Sequence, residues 1–324
     1  MGFFARIAYR TKVLIRWARI VVKRVIRFLT HDMWYLDMEK LSAWKARAVR
    51  DIKVVWLMLK VFADQKIGYQ VTALAYQSMM SVVPFLAIAL YLTDHVGISD
   101  QFNAFLQANI SNQKLIADLL AASDKIIATA ESGLFGFISM ASFFWIVIWL
   151  MMTVRRVFNN VWKVEERRNF FHVLGVVLGV IILSPFVIVL FFSGSVVYSS
   201  VLDYVVPSKL FFSESLKTML SWTLFAASAV LMLTVMYKYI PAARVRLRHA
   251  FKAALIAGIG FTAVQYLYLE TQVMVAKQNA IYGVLAALPL FMVWLNLRWT
   301  IVLYGAELSY SFQNVNHLNV KEIL

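Results

Sequence analysis

Ile281 to Gln313 reads IYGVLAALPLFMVWLNLRWTIVLYGAELSYSFQ. At about 1.5 Å of rise per residue this run reaches roughly 50 Å as a helix, against a hydrocarbon core about 30 Å thick. It predicts a membrane-spanning helix with length to spare. Arg298 and Glu307 are the only ionisable groups deep in any apolar run of the chain, and they lie beside Asn296 and a mid-run Pro289. On a helix advancing about 100° per residue, Tyr282, Pro289, Asn296, Thr300 and Glu307 share one stripe, and Arg298 points to the opposite side. Ionisable side chains are costly in hydrocarbon and face a bundle interior, a partner or water. Two polar faces on one helix therefore predict that it lies between other helices. The plainer alternative is an Arg298 that snorkels to the interface and a Glu307 at the membrane surface.

The composition agrees with this reading. Mean hydropathy is +0.71, and the chain is 61% hydrophobic with only 15% charged residues. Ordinary soluble domains carry about a quarter of their residues as charged side chains. The fold class expected is therefore all-α, a polytopic membrane protein with six transmembrane helices plus interfacial amphipathic helices. Cysteine is absent, which excludes disulfides, thiolate metal sites and cysteine nucleophiles. His31, His95, His172, His249 and His317 lie far apart and lack a paired spacing such as H-E-x-x-H. No metal and no cofactor is expected. The net charge of +15 invites a nucleic-acid reading, but most of it flanks apolar runs. Membrane lipids, anionic ones above all, are the expected partners, and nucleic acid is not.

Residues 1–70 read as basic amphipathic helices at the cytoplasmic interface. In the first thirty, Arg6, Arg10, Arg16, Arg19, Lys23, Arg24 and Arg27 take one side of a helix, and Phe4, Ile7, Leu14, Ile15, Val22, Val25 and Leu29 the other. Arginines interrupt any apolar core there, which argues against a signal peptide. His31 to Gln70 reads as an interfacial elbow, with Gly68 as its bend. Residues 71–313 form the transmembrane domain, with spans at about 72–92, 134–154, 173–197, 216–237, 253–275 and 281–312, and 314–324 form a cytoplasmic tail. Between the first two spans, 99–132 reads as short amphipathic helices on the far face. The first span holds Gln77 and Pro84, the third holds Pro185 with a Gly175/Gly179 packing pair, and the sixth holds Pro289. Pro84, Pro185 and Pro289 are read as helix breaks, because proline frees a backbone carbonyl and discontinuous helices near the midplane are where transporters form sites.

Loop charge sets the orientation. The amino-terminal region, the loop with Arg155, Arg156, Lys163, Arg167 and Arg168, and the loop with Lys238, Arg244, Arg246, Arg248 and Lys252 fall on one side of a six-span arrangement. The positive-inside rule then places both termini in the cytoplasm.

Three pieces resemble the YihY/BrkB family of bacterial inner-membrane proteins, historically labelled ribonuclease BN. They are Ala73 to Pro84 (ALAYQSMMSVVP), the basic loop with Pro241, and Ala280 to Leu308 with its YG, P, W and GAEL landmarks in order. The similarity runs from about Val54 to Phe312, and Asn296-Leu297-Arg298-Trp299 departs from it, where an aromatic or amide residue and then a small hydroxyl are expected. The resemblance implies a six-helix fold with interfacial helices in the bacterial inner membrane, and attributions that range over ribonuclease, serum resistance and lipid export.

The residues themselves rank these functions. A nuclease needs clustered carboxylates or a histidine acid and base, and the one adjacent acidic pair, Glu165 and Glu166, sits among arginines. No catalytic residue is assigned. An ion-coupled antiporter needs acids along a path, and the first four spans have none. The leading expectation is a protein that binds or translocates an anionic lipid or lipid-linked glycan. Its candidate path holds Arg298, Glu307, Asn296, Tyr282, Thr300 and Gln77, and Arg155, Arg156, Arg244, Arg246 and Arg248 attract the head group. The alternative is a non-transporting scaffold that recruits a protein partner, or a second copy of itself, through residues 1–30.

Overall fold

The computed structural model describes residues 32–36, 41–95, 133–164, 214–276 and 280–315, with single positions in 17–28 and 121–128 and Gly175. The third predicted span with Pro185, most of 99–132 and most of residues 1–30 lie outside the described residues. Among the described residues all regular structure is helical. A short turn of 3-10 helix, Asp32–Trp34, precedes α1 (Ala43–Asp64), α2 (Ile67–His95), α3 (Leu134–Val161), α4 (Glu214–Tyr239), α5 (Leu247–Ala276) and α6 (Ala280–Asn314). Three stretches, Phe137–Val161, Leu216–Tyr239 and Leu247–Thr271, are long and apolar enough to cross a membrane. The first and sixth predicted spans lie within α2 and α6. Both helices run unbroken through Pro84 and Pro289, so neither proline divides its helix.

The helix ends explain how the chain turns. α3 closes in a Schellman arrangement, with Val164 N–H donating to the Asn159 carbonyl at 3.0 Å and Lys163 N–H to the Asn160 carbonyl at 3.0 Å. Lys163 takes the left-handed conformation that this cap needs, at φ 52°, which costs a non-glycine residue about 1 kcal/mol. The junction of α1 and α2 works in the same way. Lys66 stands at φ 51° and its N–H donates to the Ala63 carbonyl at 3.1 Å. The expected bend at Gly68 is therefore displaced by two residues. Gly68 lies inside α2 with open space about it, because the hydrogen bonds that end α1 fall at Gln65 and Lys66.

α6 packs against all five other α-helices, most extensively against α5. α1 lays Val54, Leu57 and Val61 inward, and its Phe62 stacks on Tyr304 of α6 with ring centroids 4.0 Å apart. Its other side exposes Trp44, Ile52, Val55 and Leu59, so α1 has apolar residues on both faces. Trp145 and Trp149 on α3, Leu231 on α4 and Ile259 and Leu267 on α5 also point outward. Such an apolar exterior suits hydrocarbon as the solvent.

Among the described glycines the closest approach is at Gly305. A Cβ there would collide with the Tyr237 hydroxyl and lie 2.7 Å from the Cβ of Ala257, so α4, α5 and α6 meet where only hydrogen fits. Gly305→Ala is expected to destabilise the protein by about 1–3 kcal/mol through overpacking, read as a lower unfolding temperature in detergent. Adding Tyr237→Phe should restore part of the loss, and an unchanged midpoint in Gly305→Ala would remove this contact from the account.

Candidate functional site

Arg298 faces α5. Its guanidinium lies 4.0 Å from the Phe261 ring centroid and 4.3 Å from that of Trp294, and Nη2 donates to the Gln265 side-chain carbonyl. Phe261, Gln265 and Tyr268 follow at i, i+4 and i+7 on α5, and Tyr268 in turn stacks on Trp294 at 4.7 Å. One face of α5 thus presents a ring, an amide and a second ring to Arg298, which is 7% exposed. The cation resides in a protein-built clamp, where desolvated cation–π contacts are each worth about 2 kcal/mol. Gln265 was the partner that spacing did not reveal, although it is the amide on the buried side of an otherwise apolar run.

The opposite stripe of α6 meets α2. Trp299 Nε1 donates to Ser78 Oγ at 2.9 Å, and Asn296 Nδ2 makes a long 3.5 Å contact with Thr72 Oγ1. Thr300 turns back on its own helix, donating to the Asn296 carbonyl at 2.8 Å. Gln77 is half-buried on α2 and its backbone carbonyl accepts from Ser81 Oγ at 2.7 Å. Tyr282 belongs to the first turn of α6, a segment whose side chains lie outside the description. Pro289 is exposed. The structure therefore joins Arg298 to α5, and Asn296 to α2, as two separate contacts.

Glu307 is fully buried, and neither carboxylate oxygen has a hydrogen-bond partner. Among the described residues Lys163 acts on it electrostatically, and its ammonium rests 5.9 Å from the Tyr310 ring centroid. Tyr310 also meets Trp162 edge-on at 5.5 Å. The left-handed residue of the α3 cap thus also acts electrostatically on Glu307, a role that a count of loop lysines could not show.

The basic residues gather at this same end. Asn159 Oδ1 accepts from Ala242 N–H at 2.8 Å, which ties the α4–α5 loop to the end of α3. Gln313 accepts from Arg246 N–H at 2.8 Å and donates to the Arg244 carbonyl at 3.1 Å, tying that loop to the end of α6. Arg156, Arg244, Arg246 and Arg248 are exposed and Arg155 is half-buried. From α1, Arg50 joins Arg246 and Lys252 in acting electrostatically on His249. Asn159 and Gln313 are structural residues of this rim that no charge pattern marks. Among the described residues no three His, Asp or Glu side chains gather as metal ligands.

The model of the family described as "Virulence factor BrkB" matches residues 58–322. A UPF0761 membrane protein of Chlorobium limicola is 28% identical over 84% of this chain and 60% of its own length. One of Alteromonas mediterranea is 24% identical over 85% of this chain and 93% of its own. One of Legionella pneumophila is 27% identical over 82% and 63%. The chain thus spans less than two thirds of the Chlorobium and Legionella relatives and nearly all of the Alteromonas one. No solved structure matches.

Two substitutions test the site's construction. Arg298→Ala strands Gln265 and opens a gap between two rings, and should cost about 3 kcal/mol of stability. Arg298→Lys should not restore it, since a point charge cannot stack as a guanidinium does; equal unfolding temperatures for wild type and both variants would refute the clamp. Gln313→Ala removes both bonds to the α4–α5 loop, worth about 1 kcal/mol each. Hydrogen exchange at the Arg246 amide should accelerate roughly tenfold, with the α5 core unaffected; an unchanged rate would show that the loop is held by other contacts.

Proposed function

The chain belongs to the Virulence factor BrkB family of membrane proteins, and from that premise we propose that it binds or translocates an anionic lipid or lipid-linked glycan in the bacterial inner membrane. In this reading six helices span the bilayer and both termini are cytoplasmic. The observation that carries it is the cationic end of the bundle, where the Asn159 and Gln313 bonds bring Arg155, Arg156, Arg244, Arg246 and Arg248 together. A phosphate needs clustered cations at the membrane surface, and acyl chains need an apolar wall beside them. The exposed apolar faces of α3, α4 and α5 provide that wall.

The arginines draw the head group, and the stripe of α6 with Tyr282, Asn296, Thr300 and Glu307, together with Gln77 of α2, borders the path. Arg298 contributes a fixed positive charge from its clamp. Pro84 and Pro289 lie inside helices that remain whole. A second reading, the scaffold that recruits a partner through residues 1–30, is favoured by Trp17 and Ile20, which are 66% and 57% exposed beside the exposed Lys23, Arg24 and Arg27.

Purified protein in vesicles is expected to move labelled phosphatidylglycerol between leaflets faster than empty vesicles do. Replacing Arg244, Arg246 and Arg248 together with alanine should slow that movement roughly 150-fold, at about 1 kcal/mol per cation. Removing residues 1–30 should leave the rate intact. Movement no faster than in empty vesicles would refute translocation, and that result together with loss of bound partners on removing the arm would move the weight to the scaffold.

A further inference from the structure

The polar atoms between the end of α3 and the end of α6 are sealed from solvent without being bonded to one another. Glu307 Oε1 and Oε2 and Ser311 Oγ, on one face of α6, have no hydrogen-bond partner. Glu307 and Ser311 are each 0% exposed. At the end of α3, which meets this part of α6 through the Trp162–Tyr310 ring contact, Trp162 Nε1 and Asn159 Nδ2 are buried donors, also without partners. Tyr310 connects the two sides, with Trp162 edge-on and Lys163 over its ring. A buried polar atom left unbonded costs about 1–3 kcal/mol. Native proteins relieve that cost with ordered water or a ligand.

We propose that this corner opens as a binding site for a hydroxyl-rich head group, a glycerol or a sugar, whose hydroxyls bridge the acceptors of Glu307 and Ser311 to the donors of Trp162 and Asn159. The idea rests on the lipid reading above and narrows its substrate class. A hydroxyl both donates and accepts, so one diol satisfies a carboxylate and an indole N–H at once. A phosphate oxygen that only accepts cannot donate to Glu307 and Ser311 as a hydroxyl does, and the arginine rim is its place. The aromatic faces of Trp162 and Tyr310 add an apolar surface of the kind that the C–H side of a sugar covers. The closed corner is the less satisfied state, and occupancy by hydroxyls is the more satisfied one.

The absence of cysteine makes the test clean. Ser311→Cys is compared with Ala306→Cys, a fully buried apolar position, for modification by a hydrophilic thiol reagent in vesicles of phosphatidylcholine alone, with phosphatidylglycerol, or with phosphatidic acid at equal charge. Ser311→Cys is expected to react and Ala306→Cys to stay protected. Phosphatidylglycerol should slow the reaction about five- to tenfold more than phosphatidic acid, the worth of roughly one hydrogen bond. Glu307→Gln in the same background should erase that preference.

If Ser311→Cys is as inert as Ala306→Cys, the corner does not open and the proposal falls. Equal protection by the two anionic lipids would overturn hydroxyl recognition while leaving the anionic-lipid reading in place. Reaction without protection by either would overturn the head-group site, and the leaflet-transfer assay above would then decide the anionic-lipid reading by itself.

Discussion

A charge placed in the middle of an apolar helix must be satisfied by protein, and the bundle is arranged around that demand. Arg298 cannot meet hydrocarbon without a large cost, so α5 brings it two things in one stripe, the Phe261 ring and the Gln265 amide. Among the described helices, α5 and α6 form the most extensive pair. With that face committed, the opposite face of α6 is free to take α2 through Trp299 and Ser78. The close approach at Gly305 then admits Tyr237 of α4. One helix touching every other described α-helix is the geometric outcome of a segment that carries polar groups on several sides.

The second ionisable group of α6 is treated differently. Glu307 has a cation at a distance, Lys163, and no bonded donor. Lys163 reaches that place because the Schellman cap of α3 demands a left-handed residue, and the backbone strain is accepted at a lysine rather than relieved by glycine. Backbone closure, countercharge and aromatic contact thus converge on a single residue. Gln265 and two rings meet the Arg298 guanidinium, whose Nε is left without a hydrogen bond, whereas neither carboxylate oxygen of Glu307 is bonded at all.

Much of this was legible beforehand. The hydropathy of the long runs and the 3.6-residue periodicity of their polar positions gave the helical membrane class, and the YG, P, W and GAEL landmarks between Ala280 and Leu308 pointed to the family whose model matches residues 58–322. The opposition of Asn296 and Arg298 on α6 followed from the helical rotation of about 100° per residue. Other features were misread or missed. Gly68 drew the bend that Lys66 makes, since glycine is the usual left-handed residue and nothing local marks a lysine that takes its place. Asn159 and Gln313 looked like ordinary amides near helix ends, and their partners lie 83 and 67 residues away in the chain.

The sequence by itself determined that the chain is helical, that it belongs in a membrane, where its apolar runs lie and which segments carry the positive charge. These properties depend on local composition and on the fixed rise and rotation of the helix, so spacing encodes them directly. Tertiary structure decided which helix answers Arg298, that Glu307 is left without a donor, and that the arginine loop is tied to both α3 and α6. Those outcomes depend on which helices become neighbours and at what depth, and a hydrogen bond or a ring contact forms only at a few ångströms. No periodicity along one helix can specify the position of another to that tolerance.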